Sequence, residues 1–311
     1  MSKIISRKVK KMMVTLLVAT SAVGVISPMN QLYAATDNVS MNQGENSVKV
    51  KDTTLTFNGF KQGERGVINT EVVLERASGI PENVNEIWIV GEGIVTINGT
   101  KYSLDLSFSE KVERISDTRL KADIQTRVLK KEGKSRKQVT EVTAEKLKGQ
   151  KIEFTIEEVR YYVEKSTIAP QFLEALKNVI NVQGVEPKNA GFAELEGDPN
   201  HKSIFDGMKV LSPKGLNIPI IQGENNVIDN IGFVNGQLQL RTVEKGEYCN
   251  IQFIDSKGQK VPLSACGGVG DTGCSIFDIK DAETLQTLTP KVSMQKRIIT
   301  DEETKKVIFT F

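Results

Sequence analysis

Polar and apolar residues alternate with a period of two along most of this chain. Tyr102, Leu104, Leu106 and Phe108 fall on one face of a predicted strand, and Asn98-Gly99 joins that strand to the preceding IVTI. Successive side chains of a strand point to opposite faces, so the alternation predicts half-buried strands. Asn-Gly between two apolar runs predicts a tight hairpin. Leu120, Ile124 and Val128 continue the pattern, as do Ile152, Phe154 and Ile156, while VKVKDTTLTF and VINTEVVLER fit two earlier strands. EIWIV (86–90) is apolar on both faces and reads as a central, fully covered strand carrying the sole Trp. Of the adjacent Tyr161 and Tyr162, one must face outward if the strand continues through them.

One stretch breaks the pattern. Ala169-Pro170 followed by QFLEALKNVI puts Phe172, Leu173, Leu176, Val179 and Ile180 on one helical stripe, with Pro in the first turn, a favourable helix start. From Val227 onward alternation resumes in VIDNIGFV, QLQLRTV, YCNIQFID, KVPLSA, CSIFDI, LTPKVSM and KVIFTF. Seven short strands with frequent turns match an immunoglobulin-like sandwich. The expected architecture is mainly β. A signal peptide occupies 1–35, a β-sandwich domain 36–222 with a helical insertion near 170–181, and an Ig-like β-sandwich domain 223–311. Phe309 and Phe311 are expected to close the core of that last domain.

The first 35 residues alter the electrostatic picture. Lys3, Arg7, Lys8, Lys10 and Lys11 precede an apolar run (12–29) that exits through Leu32-Tyr33-Ala34-Ala35, the layout of a secretory signal peptide. An uncleaved anchor is the alternative. Five of the 41 Lys and Arg and none of the 39 Asp and Glu lie in this segment, so the remainder carries about three net negative charges. No attraction to nucleic acid follows from that balance. The expected location is outside the membrane, secreted or at the cell surface.

Export permits a disulfide. Cys266 and Cys274 bracket GGVGDTG and are the expected pair, with Cys249 buried; three reduced thiols are the alternative. Lys130, Lys131, Lys134, Arg136 and Lys137 form the densest cationic group outside the first segment. They suit a solvated hairpin tip whose lysines discourage edge pairing, with contact to an anionic wall polymer as the functional alternative. Catalytic chemistry is poorly supplied. His201 is the single histidine, and a triad or zinc site needs histidine with partners. Glu194, Glu196, Asp198 and Asp206 match no calcium-loop spacing. Ser264-Ala265-Cys266-Gly267-Gly268 has no accompanying base, and the glycines from Gly267 to Gly273 lack the Lys-Ser/Thr of a phosphate loop. No cofactor, metal or catalytic residue is expected.

GENSVKVKDTTLTFNG, LKGQKIEFTIEEV and the series FVNGQLQLRTVEKG…NIQFIDSKGQKVP…CSIFDIKDAE…KVIFTF resemble a Firmicute ectodomain family. These are paired Ig-like domains of unknown function on exported bacillus proteins, some associated with extracytoplasmic-function sigma factors. The resemblance covers most of 45–311 and implies two Ig-like domains outside the membrane. With only Met1–Lys11 before the apolar run, no cytoplasmic domain for a sigma factor is expected. The leading expectation is a non-enzymatic exported protein that binds an envelope protein or wall polymer. A membrane-anchored regulatory ectodomain is the second reading, and a secreted hydrolase with an unrecognised site the third.

Overall fold

The computed structural model describes residues 46–63, 67–133, 135–192, 204–244 and 247–311. The expected signal peptide, His201, Glu194, Glu196, Asp198 and Lys134 lie outside them. The chain forms two compact units, and neither follows the expected division at 222/223. One contains 46–164 together with Gln295–Phe311; the other contains Lys165–Met294.

The first unit is built from strands β1 (Ser47–Val50), β2 (Thr53–Gln62), β3 (Ile68–Arg76), β4 (Val84–Ile97), β5 (Thr100–Arg114), β6 (Arg119–Glu132), β7 (Ser135–Gln138) and β8 (Lys151–Lys165), plus a one-turn helix α1 (Ala144–Leu147). Its sheet runs β1-β2-β3-β6-β5-β4-β8 and is completed by the second part of β15 (Thr289–Thr310), with β7 paired to β6. Alternation produces this directly. On β6, Leu120, Ala122, Ile124, Thr126 and Val128 are buried while their neighbours face outward. The hairpin at Asn98-Gly99 forms as expected. Both residues have positive φ, 49° and 76°, and Ile97 pairs with Thr100, the geometry that matches strand twist.

The sheet curls so that its two ends share one core. Phe57 on β2 stacks on Phe154 of β8 with centroids 5.1 Å apart, and Phe309 lies 5.3 Å from Phe57. Phe60 and Phe311 meet edge to face at 4.7 Å. Gly93 is required beneath this cluster, since a Cβ there would come within 2.7 Å of the Phe154 ring. Polar groups lock the same closure. The Tyr161 hydroxyl lies 2.7 Å from Thr53 Oγ1, which donates to Asp301 Oδ2 at 2.7 Å. Arg76 Nε donates to the same oxygen at 3.1 Å. The final strand KVIFTF therefore completes the first unit, and Phe309 and Phe311 close a different core from the one expected. Strand alternation identifies KVIFTF as β but does not identify its neighbours.

The second unit contains helix α2 (Pro170–Lys177), β9 (Ile218–Pro219), β10 (Val227–Val234), β11 (Gln237–Val243), β12 (Cys249–Ile254), β13 (Leu263–Val269), β14 (Thr272–Phe277), helix α3 (Ala282–Gln286) and the start of β15. An antiparallel sheet runs β13-β14-β11-β10-β9, and β12 pairs with Thr289–Met294 of β15. Ile228, Leu238, Leu240 and Phe277 from the sheet share one apolar cluster with Ile251, Phe253, Val292 and Met294 from the β12–β15 ladder. The expected helix is present but ends at Lys177 and belongs to this unit. Phe172 and Leu176 join the cluster, whereas Leu173 and Ile180 are exposed. The expected strands LTPKVSM and KVIFTF are two parts of the single strand β15, and KVPLSA is replaced by β13, displaced toward the glycines.

Buried Arg241 organises the loops here. Its Nε donates to Asp229 Oδ2 at 3.0 Å, its Nη1 donates to the Ala190 carbonyl, and its guanidinium sits 4.9 Å from the centre of the Phe192 ring. Gln239 takes the place of a missing strand, donating to the Lys209 carbonyl at 2.9 Å and accepting from Leu211 N at 3.2 Å. Among the described residues no helix is long and apolar enough to cross a membrane.

Candidate functional site

Two of the sequence-derived candidates change character in the structure. All three cysteines are free thiols, so the Cys266–Cys274 bridge is not formed. The ladder explains why. Cys266 pairs with Ser275 and Cys274 with Gly267, and directly opposed residues share a face while sequence neighbours do not. Cys266 and Cys274 therefore point to opposite faces of β13–β14. Cys249 is buried as expected, on the same apolar face as Ile251 and Phe253. Burial pushes the thiols of Cys249 and Cys274 up to about 12, which keeps them protonated and poorly nucleophilic at neutral pH.

The cationic group sits on the β6–β7 hairpin, where Lys130 and Lys137 are opposed. Arg136 pairs with Glu92 at 2.6 Å and Lys137 with Glu132 at 2.8 Å. Two of the four described cations are thus matched to acids.

Proton chemistry is best represented by Glu244. Burial raises its carboxyl to about 7, against a backbone hydrogen bond from Cys249 and a side-chain one from Thr242. The described residues of this unit pair Glu244 with no ionised nucleophile. An apolar cleft of about 490 Å³ between α2 and α3 is lined by Leu173, Leu176, Phe253, Leu285 and Leu288, with Lys177 as its charged wall residue. Lys177 is itself paired with Glu174 at 3.2 Å, leaving little to orient a ligand.

The feature that sequence reading missed lies on the first unit, on the sheet face opposite the core. Trp88 of β4 is directly opposed to Phe108 of β5 and to Arg160 of β8. Its ring centre is 5.9 Å from that of Phe108 and 5.7 Å from that of Tyr162. The Trp88 indole N–H donates to Glu86, and Arg160 pairs with Glu158. Trp88 and Phe108, both half-buried, thus form an aromatic patch across β4 and β5, backed by buried Tyr162 of β8 and flanked by carboxylates and a guanidinium. Burial raises the Glu86 carboxyl, and the indole hydrogen bond opposes that rise. Burial likewise raises the Tyr162 hydroxyl, while Arg160 pulls it down.

Irregular register creates the patch. Phe108 was expected to share a face with Tyr102, Leu104 and Leu106. A register shift between Leu106 and Ser109 reverses the phase, so Ser109 is buried, its hydroxyl accepting from Ile87 N at 2.9 Å, and Phe108 faces outward. On β4 the expected full cover is absent: Ile87 and Ile89 are buried, and Trp88 is half-buried on the opposite face. Tyr161 and Tyr162 divide between the faces as expected, yet both are buried, the first among the core residues and the second against Trp88. The available signal was positional: Trp88 and Tyr162 are out of phase with the core residues beside them.

No family model, curated protein or solved structure matches this chain.

Proposed function

We propose that this chain is an exported, non-enzymatic binding protein acting on the outer side of a Gram-positive-type envelope, with the outer face of β4, β5 and β8 as its binding surface. The observation that carries this reading is the half-buried Trp88–Phe108 patch, backed by Tyr162. A solvated sheet face ordinarily carries polar side chains, and aromatic rings grouped there with a few placed polar groups have the composition of a recognition surface. The signal-like N-terminus supports the location, and the resemblance to paired Ig-like ectodomains supports both the location and the sandwich class of each unit. The raised thiol values of Cys249 and Cys274 weigh against cysteine-nucleophile catalysis.

Binding to purified cell-wall sacculi tests the proposal. The exported protein should co-sediment saturably, and Trp88→Ala with Phe108→Ala should remove most of that association while far-ultraviolet circular dichroism stays unchanged. Turnover of esters, peptides or glycans by the same preparation would contradict the non-enzymatic reading. Absence of co-sedimentation would contradict wall binding.

A further inference from the structure

Resting on that reading of the Trp88 face, we infer that its ligand is a neutral glycan, bound by packing a sugar ring on Trp88 and Phe108. The geometry and the charge balance point the same way. A pyranose ring presents a face of C–H groups and an equator of hydroxyls. The C–H groups carry partial positive charge and are drawn to the electron-rich face of an aromatic ring. Trp88 and Phe108 are half-buried with centroids 5.9 Å apart and present their outward parts to such C–H groups, while buried Tyr162 backs the indole at 5.7 Å.

The rim supplies what the hydroxyls need. Each hydroxyl both donates and accepts. Glu86 and Glu158 provide acceptor oxygens, and the guanidinium of Arg160 provides donors. Glu86 already holds the Trp88 indole through one oxygen, which fixes the ring and leaves carboxylate lone pairs for a ligand. Two acids, Glu86 and Glu158, stand against Arg160 and Arg297, both close to Tyr162. That balance favours an uncharged polymer and disfavours a teichoic-type polyanion.

Trp88 is the sole tryptophan of the chain, so intrinsic fluorescence reports this site directly. The purified exported protein is titrated with a hexamer of β-linked N-acetylglucosamine, with cellohexaose and with lipoteichoic acid, following fluorescence and heat. The expected result is a saturable fluorescence change with at least one neutral hexamer. Trp88→Ala, read by calorimetry, should weaken that binding about tenfold or more, as loss of a central aromatic anchor does. Arg160→Ala should weaken it as well, and Lys131→Ser should leave it unchanged. Trp88→Phe keeps a ring and should retain part of the affinity, which separates lost stacking from lost folding. If lipoteichoic acid alone changes the fluorescence, the neutral-glycan inference fails and the binding face stands. If a neutral hexamer binds without a fluorescence change and binding survives Trp88→Ala, the placement of the site fails too. Binding of none of the three overturns the glycan inference, and co-sedimentation with sacculi then decides the broader proposal separately.

Discussion

The two units use the same pair of residue types at very different range. In the first, Arg76 reaches Asp301 across 225 positions of sequence. In the second, Arg241 reaches Asp229 across 12. Asp301 and Arg241 are almost wholly buried, at 1% and 4% exposure, and Thr53, Tyr161 and the carbonyls of Ala190 and Leu211 satisfy further polar groups around them. A buried ion pair is weak evidence of net stability but costly to break, because the remaining charge is left unpaired. One pair holds together strands from opposite ends of the chain, and the other pins neighbouring loops. The second unit therefore has its fastening in place once Met294 is made, whereas the first waits for the final strand.

Removing the aromatic contribution of that strand should give the largest effect. Truncating a buried Phe costs roughly 3–5 kcal/mol, against a total of about 5–15 kcal/mol for a domain. Phe309→Ala combined with Val307→Ala should therefore unfold the first unit or bring it to the edge of unfolding. Trp88 fluorescence would move to that of a solvated indole, while amide protection in Lys165–Met294 persists. Loss of protection in both units together would erase the distinction between them.

The ion pairs come next. Asp301→Ala should lower the stability of the first unit by about 3 kcal/mol or more, and Asp229→Ala should do the same to the second. Segment-resolved hydrogen exchange should show each loss confined to its own unit. Equal loss in both units from either variant would contradict the assignment.

The pH responses differ in sign. Glu71, held by Lys61, Lys121 and Asn58, is lowered to about 2 in the folded first unit. A lowered carboxylate contributes stability above its unfolded value near 4.5 and loses it as pH falls toward about 2. Glu244 in the second unit is raised to about 7. There the folded state binds the extra proton, so stability is highest below about 4.5 and declines as pH rises to about 7, by roughly 2–3 kcal/mol. Glu244→Gln should flatten the slope between those values, and Lys61→Met should weaken the acid-side dependence of the first unit. Urea denaturation at stepped pH, read per unit, checks both. A second unit that gains stability from pH 4.5 to 7 would contradict the account.

The smallest effect concerns the thiols. Half-buried Cys266 should react with a maleimide well before buried Cys249 and Cys274, with little change in thermal midpoint. A Cys266 that labels only after reduction would restore the disulfide.

These contrasts also mark what could be read from the chain alone. Alternation located most strands, because one face of each is buried: Leu120, Ile124 and Val128 are core residues as expected, and Asn98-Gly99 turns as expected. Alternation carries no information on which strands become neighbours. Val307 and Phe309 announce a strand, yet nothing local says that Phe57 and Phe154 are its contacts. Phase breaks concealed the candidate site. A single register shift at Ser109 sends Phe108 outward, and an apolar EIWIV looks the same whether Trp88 faces a core or solvent. Cys266 and Cys274 looked joinable because a glycine-rich loop connects them, but strand parity places them on opposite faces.

The central claim, that the first unit is completed only by the last strand, is tested most directly by ending the chain at Met294 and measuring amide exchange segment by segment. The account predicts that peptides from 46–164 exchange at nearly unfolded rates, that those from Lys165–Met294 keep their protection, and that a synthetic peptide of Gln295–Phe311 added in excess restores protection to 46–164. Native-like protection of 46–164 without that strand would contradict it.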